Sequence, residues 1–149
     1  MKKIFCVHGG ISPELKNMND ISMILRPTEI PDSGLLFDLL WSKPNKEVSE
    51  YRKDFRYDQN KDYEYIITFG EKAMNDFIKK NDINLIVRSN QLCNNEGYEF
   101  FGDNKHLITI FSAPNFGGEY DNNSAILFID DNLTCSLKVL RPLEKTKND

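Results

Sequence analysis

The chain has 149 residues, of which 40% are hydrophobic and 28% are charged, and this balance is typical of one globular domain with a single core. The net charge of −4 argues against a general nucleic-acid-binding protein, because such proteins attract phosphate through a basic face. We also expect no signal peptide and no bilayer-spanning helix, since the apolar runs are short.

The cysteine content indicates the redox environment. Cys6, Cys93 and Cys135 are odd in number and far apart in the sequence. A disulfide framework or a thiolate zinc site is therefore not expected. A reducing intracellular compartment, either the cytoplasm or the nucleus, is the default expectation.

The first part of the chain predicts one strand followed by two helices. Residues 2–7, which are apolar from Ile4 onward, predict a short buried strand that runs into a sharp glycine turn. Residues 20–26 predict a short helix with Asp20 as its cap. The apolar spacing within residues 32–41 predicts a second helix.

A long polar segment, residues 42–65, separates these elements from the rest of the chain. It includes a basic and aromatic run over residues 51–57. A structureless loop of this length is unusual inside a compact domain. The segment is therefore either a functional element or a solvated insertion.

The second half of the chain predicts one helix and a series of strands. Residues 68–71 fit a capping box, and the helix that follows should end near Asn81. The order of elements favours an α+β fold whose last third consists mostly of antiparallel hairpins. The predicted buried helix face is Ala73, Met74, Phe77 and Ile78, and the predicted strands are 83–87, 97–101, 107–112, 125–129 and 134–140.

Polar loops follow three of the predicted strands. His8 is the residue in these loops that is best suited to a chemical role. It lies at a strand end beside two glycines, where a side chain stands clear of the sheet. Such a position suits a metal ligand or a phosphate contact, and the alternative is a histidine hydrogen-bonded within the turn. Residues 88–91 and 112–121 form the other two loops, and the three together suggest one shared site.

Several long motifs follow one another in an order that resembles one known family. They are IFCVHGGISPEL, RPTEIPDSGLLFDLLWS, TFG, GYEFF and LITIFSAPNFGGEYDN. This order is similar to that of the PPP family of serine/threonine protein phosphatases, in particular its protein phosphatase 1 group. The resemblance implies the C-terminal half of a metallophosphatase-like β-sandwich flanked by helices. The partial domain would span residues 1–142, with an expanded linker at 43–65 and a frayed tail at 143–149.

The resemblance also implies a metal-dependent reaction. Family members use two divalent metal ions, usually manganese, iron or zinc, which activate a bridging water and hold the phosphate. His8 matches one metal ligand, whereas Asn90 stands where the family has another histidine ligand. Tyr63 occupies the position of a phosphate-binding arginine, Lys43 replaces an aspartate, and Phe116 replaces a tyrosine close to the substrate.

The predicted activity depends on how many metal-ligating side chains the chain contains. The family motifs GDxHG, GDxxDRG and GNHE, which supply most metal ligands, do not occur in this sequence. One imidazole and one amide cannot offset the repulsion between two clustered divalent cations. We therefore predict a phosphatase-related chain that is catalytically incompetent by itself and holds one metal weakly or none. The alternatives are the C-terminal part of an active phosphatase, which would act on phosphoproteins once completed by a first half, and a non-catalytic partner-binding module.

A second surface is implied by the same resemblance. Phosphatases of the protein phosphatase 1 group have a hydrophobic groove in which regulatory proteins bind through an Arg-Val-x-Phe-type peptide as an added strand. The alternative is that the matching residues are ordinary strand residues of the core. The matching positions are Ile4, Leu85, Phe100, Leu133, Cys135 and Leu137.

Overall fold

The computed structural model describes residues 3–55, 65–93 and 96–143, and within these ranges the chain forms nine strands and three short helices. Both ends of the chain and the predicted frayed tail beyond Leu143 lie outside the description. The elements are β1 (Ile4–Cys6), α1 (Asn19–Ser22), α2 (Leu35–Trp41), β2 (Lys43–Pro44), β3 (Tyr51–Asp54), β4 (Ile66–Phe69), α3 (Glu71–Asn81), β5 (Leu85–Arg88), β6 (Tyr98–Phe101), β7 (Leu107–Ile110), a 3-10 turn (Phe116–Gly118), β8 (Ser124–Ile129) and β9 (Cys135–Leu140).

The strands form three sheets. The central sheet has four strands in the order β1-β5-β7-β6, with β1, β5 and β7 parallel and β6 antiparallel to β7. A three-stranded sheet has the order β2-β4-β3, and β8 and β9 form an antiparallel hairpin. Mixed sheets with few helices confirm the predicted α+β class.

The central sheet is covered on both faces. Side chains alternate along β5, so that Ile86 faces one hydrophobic cluster while Leu85 and Val87 face another. The first cluster includes the buried face of α3, and the second includes Ala125 and Leu137 of the β8–β9 hairpin. The fold is therefore layered, with α3 on one side of the sheet and the hairpin on the other.

Helix α3 confirms the predicted buried face but not the predicted cap. Its four predicted apolar positions are all buried, and the helix ends at Asn81, as expected from the periodicity. The N-cap is Gly70, because Thr68 lies within β4 and its hydroxyl donates to the Arg52 carbonyl at 3.3 Å. The Glu71 carboxylate instead accepts the Asp103 N–H at 2.8 Å. The capping-box prediction was therefore wrong, because Thr68 belongs to strand β4 and does not cap the helix.

The described part of the polar segment after α2 includes two strands, β2 and β3. Strand β3 pairs antiparallel with β4, from Tyr51 opposite Phe69 to Asp54 opposite Ile66. Arg52 and Lys53 are exposed on β3, which is the edge strand of its sheet. An exposed edge strand keeps polar side chains, so the polar composition did not exclude a strand.

The first two helices are shorter than predicted. Asp20 does not begin α1 as its cap, because its carboxylate accepts the N–H groups of Lys16 and Asn17 in the preceding turn, at 2.8 and 2.9 Å. Helix α2 begins at Leu35, whose N–H donates to a carboxylate oxygen of Glu14 at 3.1 Å. Of the helices in the described ranges, none has the length and apolar character needed to cross a membrane.

Candidate functional site

The carboxyl ends of β1, β5 and β7 meet at one edge of the central sheet. Hydrogen bonds extend the pairing beyond β1 and β5, from Val7 N–H to the Val87 carbonyl and from Ser89 N–H to the His8 carbonyl, both at 3.0 Å. The Ser89 hydroxyl also donates to the Ile110 carbonyl at the end of β7, at 2.8 Å. The structure therefore brings the three predicted polar loops to the edge where parallel sheets usually bind ligands.

The glycine turn after His8 packs against the end of α2. The Gly9 N–H donates to the Leu39 carbonyl at 2.7 Å. A Cβ atom at Gly9 would overlap the backbone of Leu40 and Trp41. Glycine is required at this position by the close approach of two backbones. The His8 side chain, by contrast, is exposed at the sheet edge.

Asn90, at the second predicted ligand position, is held by a structural hydrogen bond. Its backbone has a φ of +60°, a left-handed conformation that asparagine tolerates better than most residues. Its side-chain NH2 group donates to the Leu40 carbonyl at 2.8 Å. The structure therefore brings His8 and Asn90 to one edge, and it ties Asn90 to the end of α2.

A buried arginine that we did not predict lies at the centre of this edge. Arg88 is 2% exposed, and its Nε donates to the Gly9 carbonyl. Its Nη1 donates to Gln91 Oε1 at 2.5 Å and to Thr109 Oγ1 at 3.2 Å. Burial lowers the pKa of the guanidinium to about 10. The available sequence signal was a single cationic residue that directly follows an apolar strand.

The loop after β7 carries Phe116 and is fixed by a buried amide. Phe116 is 50% exposed, and its ring meets the ring of Phe111 edge-on at 5.3 Å. Asn122 Oδ1 accepts the Phe116 N–H at 2.9 Å, and Asn122 Nδ2 donates to the Ala113 carbonyl at 2.9 Å. The exposed aromatic side chain is thus presented by a loop with its own internal hydrogen bonds. Tyr63, the other altered position, lies outside the described residues.

A second unpredicted charge, Asp38, is buried within α2. It is 3% exposed, and the Ser12 hydroxyl donates to its carboxylate at 2.5 Å. Burial raises the pKa of this carboxyl to about 6, with a smaller contribution from the negative charge of Glu14. The sequence signal was one charged residue among the apolar residues of the helix.

The donor set at the sheet edge does not fit a pair of divalent metal ions. Across residues 3–55, 65–93 and 96–143, no group of three or more histidine, cysteine, aspartate or glutamate side chains could hold a metal. The predicted ligands there are one imidazole, from His8, and one neutral amide, from Asn90. The buried cation of Arg88 lies two residues before Asn90 and adds positive charge. Such a set does not offset the charge of two clustered dications.

The residues predicted to line a partner groove lie in the central sheet and in the β8–β9 hairpin. Leu85, Phe100 and Leu137 all pack against the hydrophobic cluster between the central sheet and the hairpin. Ile4 lies opposite Leu85 in the β1–β5 register. The remaining two positions lie at the exposed end of the hairpin, where the Cys135 thiol contacts the Leu133 carbonyl at 3.9 Å.

Comparison with known proteins agrees with this architecture. The sequence model of the calcineurin-like phosphoesterases matches residues 1–93. Among solved structures, the chain is similar to a protein serine/threonine phosphatase from Saccharomyces cerevisiae with similarity to human phosphatase PP5, with a TM-score of 0.76 and 21% sequence identity. The match covers 97% of this chain and 46% of that one, so the chain spans about half the length of the solved structure. The predicted metallophosphatase-like fold is confirmed, and the chain belongs to the calcineurin-like phosphoesterase family.

Proposed function

We propose that this chain is a serine/threonine phosphatase-related domain that does not hydrolyse phosphomonoesters by itself. Family membership supports the ancestry, since enzymes of this family are metal-dependent phosphoesterases. The altered residues at the sheet edge support the loss of activity. The proposal therefore separates the inherited scaffold from the chemistry that the scaffold usually carries.

The hydrogen bond of Asn90 is the observation that carries this proposal. An imidazole at this position would offer a strong nitrogen ligand to a transition metal, whereas an amide oxygen is a neutral and weaker ligand. Here the amide also bonds to the Leu40 carbonyl at 2.8 Å, which fixes the side chain towards α2. The residue has a structural role at a position where the family places a metal ligand.

Electrostatics at the edge support the same conclusion. A bimetallic phosphatase centre concentrates positive charge and needs anionic ligands close by. Arg88 is buried beside the glycine turn and brings a further positive charge. Lys43, which stands in place of a family aspartate, is half-buried in β2. The replacement of the family aspartate by Lys43 makes a second divalent cation less favourable at the edge.

A phosphatase assay with metal tests the proposal. The purified chain should release no phosphate from a phosphopeptide in the presence of Mn²⁺, whereas an active serine/threonine phosphatase provides the positive control. Metal-dependent turnover by the chain that disappears in His8→Ala would contradict the proposal.

Metal binding provides a second measurement. The variant Asn90→His adds an imidazole at the edge and should raise the affinity for Zn²⁺ at least tenfold over the parent chain, measured by calorimetry. The matched control Asn104→His places the same group on an exposed turn and should raise it less. Equal affinities in both variants would show that His8 and position 90 do not converge.

The alternative that the chain completes an active phosphatase has its own test. Because the match spans 46% of the solved phosphatase, a complementary half of that fold could supply the remaining ligands. Co-expression with the first half of a family catalytic domain should then yield metal-dependent hydrolysis of phosphoproteins. Continued inactivity of a stably associated pair would favour the inactive domain.

A non-catalytic, partner-binding role is the second candidate, and it is supported by the partial exposure of the groove residues, since core residues would be fully buried. Leu85, Phe100 and Leu137 meet at one cluster although they come from three different strands. We expect an Arg-Val-x-Phe peptide to bind one site per chain in calorimetry, and an Arg-Ala-x-Ala peptide to give no signal. Phe100→Asp should abolish binding, whereas the control Phe128→Asp alters a 51% exposed side chain and should preserve it. A folded parent chain without peptide binding would refute this role.

A further inference from the structure

Among the residues that the structure describes, the buried guanidinium of Arg88 has no counter-ion. Its partners Gly9, Gln91 and Thr109 all offer neutral oxygen atoms. Throughout the described ranges, no carboxylate pairs with it, and its Nη2 has no hydrogen-bond partner. A guanidinium that is only 2% exposed and has an unused donor group is costly to bury, because it loses hydration without a compensating charge.

A second orphaned donor lies at the same turn. The Ser42 hydroxyl is fully buried and also has no hydrogen-bond partner among the residues that the structure describes. A Cβ atom built on Gly10 would lie 2.8 Å from Ser42 Oγ. Since Arg88 Nε bonds to the carbonyl of Gly9, both orphaned donors border the same pair of glycines.

We propose that Arg88 Nη2 binds one small monovalent inorganic anion of the halide class, with Ser42 Oγ as a second donor, inside the turn that follows β1. An anion would satisfy both donors, because it accepts hydrogen bonds from several directions. A water molecule would satisfy Nη2 but would leave the positive charge uncompensated. One guanidinium balances one negative charge, so a monovalent anion is favoured over a phosphate dianion.

The anion site shares no hydrogen-bond donor with the two predicted metal-ligand positions. It involves neither the exposed His8 side chain nor the amide of Asn90, which donates to the Leu40 carbonyl instead. An anion here would neutralise the cation that joins the β1 turn to β5 and β7. The chain should therefore be more stable in salts of small anions than in salts of large organic anions at the same ionic strength.

Bromide is the probe that tests this site. Unfolding by urea is measured in sodium bromide and in sodium gluconate at equal ionic strength, with the full chain. At a bromide concentration of twenty times its dissociation constant, the unfolding equilibrium should shift about 20-fold towards the folded state. Crystals soaked in sodium bromide should show one anomalous peak within hydrogen-bonding distance of Arg88 Nη2. An ordered water alone at that position would overturn the proposal.

Three variants test whether Arg88 and Ser42 cause the stabilisation by bromide. Arg88→Met removes the charge and should abolish the difference between bromide and gluconate, whereas the control Arg52→Met removes an exposed guanidinium and should retain it. If Arg88→Met does not fold, Ser42→Ala tests the anion site instead, because loss of one donor should weaken bromide binding about tenfold. An unchanged bromide response in Ser42→Ala, or stabilisation by phosphate without stabilisation by bromide, would refute the site.

Discussion

Replacing Asp38 by asparagine tests the energetic cost of the carboxylate buried in α2. Burial raises the pKa of Asp38 from 3.8 to about 6, and this difference corresponds to about 3 kcal/mol of unfolding free energy. Because the folded-state pKa is the higher one, the folded protein favours the protonated form. The penalty is absent below pH 3.8, grows as the pH rises towards 6, and is constant above that value.

The asparagine variant removes this pH dependence while keeping an acceptor for the Ser12 hydroxyl, which donates at 2.5 Å in the parent chain. A new NH2 group without an acceptor costs about 1 kcal/mol, and this cost does not change with pH. The free energy of unfolding of Asp38→Asn minus that of the parent should therefore rise by about 2.4 kcal/mol between pH 4 and pH 7.

Urea denaturation of both proteins at several pH values between 4 and 8 measures this difference. Taking the difference between the two proteins cancels the titration of carboxyl groups that do not interact with Asp38, and Glu14, whose charge contributes to the raised pKa, is the exception. The control Asp131→Asn alters an exposed carboxylate and should shift stability little at any pH. A stability difference for Asp38→Asn that stays constant from pH 4 to pH 8 would refute the reasoning.

Two further substitutions test the packing. Met74→Ala removes a side chain that is 0% exposed and should cost about 2–5 kcal/mol in urea denaturation, whereas Met23→Ala alters one that is 71% exposed and should cost little. Asn122→Ala removes the acceptor of the Phe116 N–H at 2.9 Å, so this amide should exchange hydrogen at least tenfold faster. Asn104→Ala is the exposed control, and equal exchange rates in the two variants would contradict the role of the buried amide.

Local patterns predicted those elements whose side chains face the core with a regular period. Helix α3 was predicted to its last residue because its apolar positions recur at helical spacing and meet the central sheet. The strand after it was predicted at 83–87 but forms at Leu85–Arg88. Ile83 is buried in the connection that follows the left-handed Asp82, and an apolar residue alone does not separate a buried turn from a strand.

Local patterns did not predict the edge strand β3, because solvent on one side permits the polar residues Arg52 and Lys53. They also did not reveal which charges are buried. Arg88 contacts Gly9, a residue 79 positions earlier in the sequence, and Asp38 contacts Ser12 across 26 positions. Burial of a charge depends on such distant partners, so it cannot be predicted from composition and periodicity.

The amino-acid sequence by itself determined the family and the α+β class, because ordered motifs and the periodicity of apolar residues are properties of contiguous residues. Only the tertiary structure decided that Asn90 is tied to the end of α2 and that a cation is enclosed at the sheet edge. The physical reason is that hydrogen-bond partners and solvent exclusion at this edge arise from the parallel pairing of β1 and β5, which lie far apart in the chain.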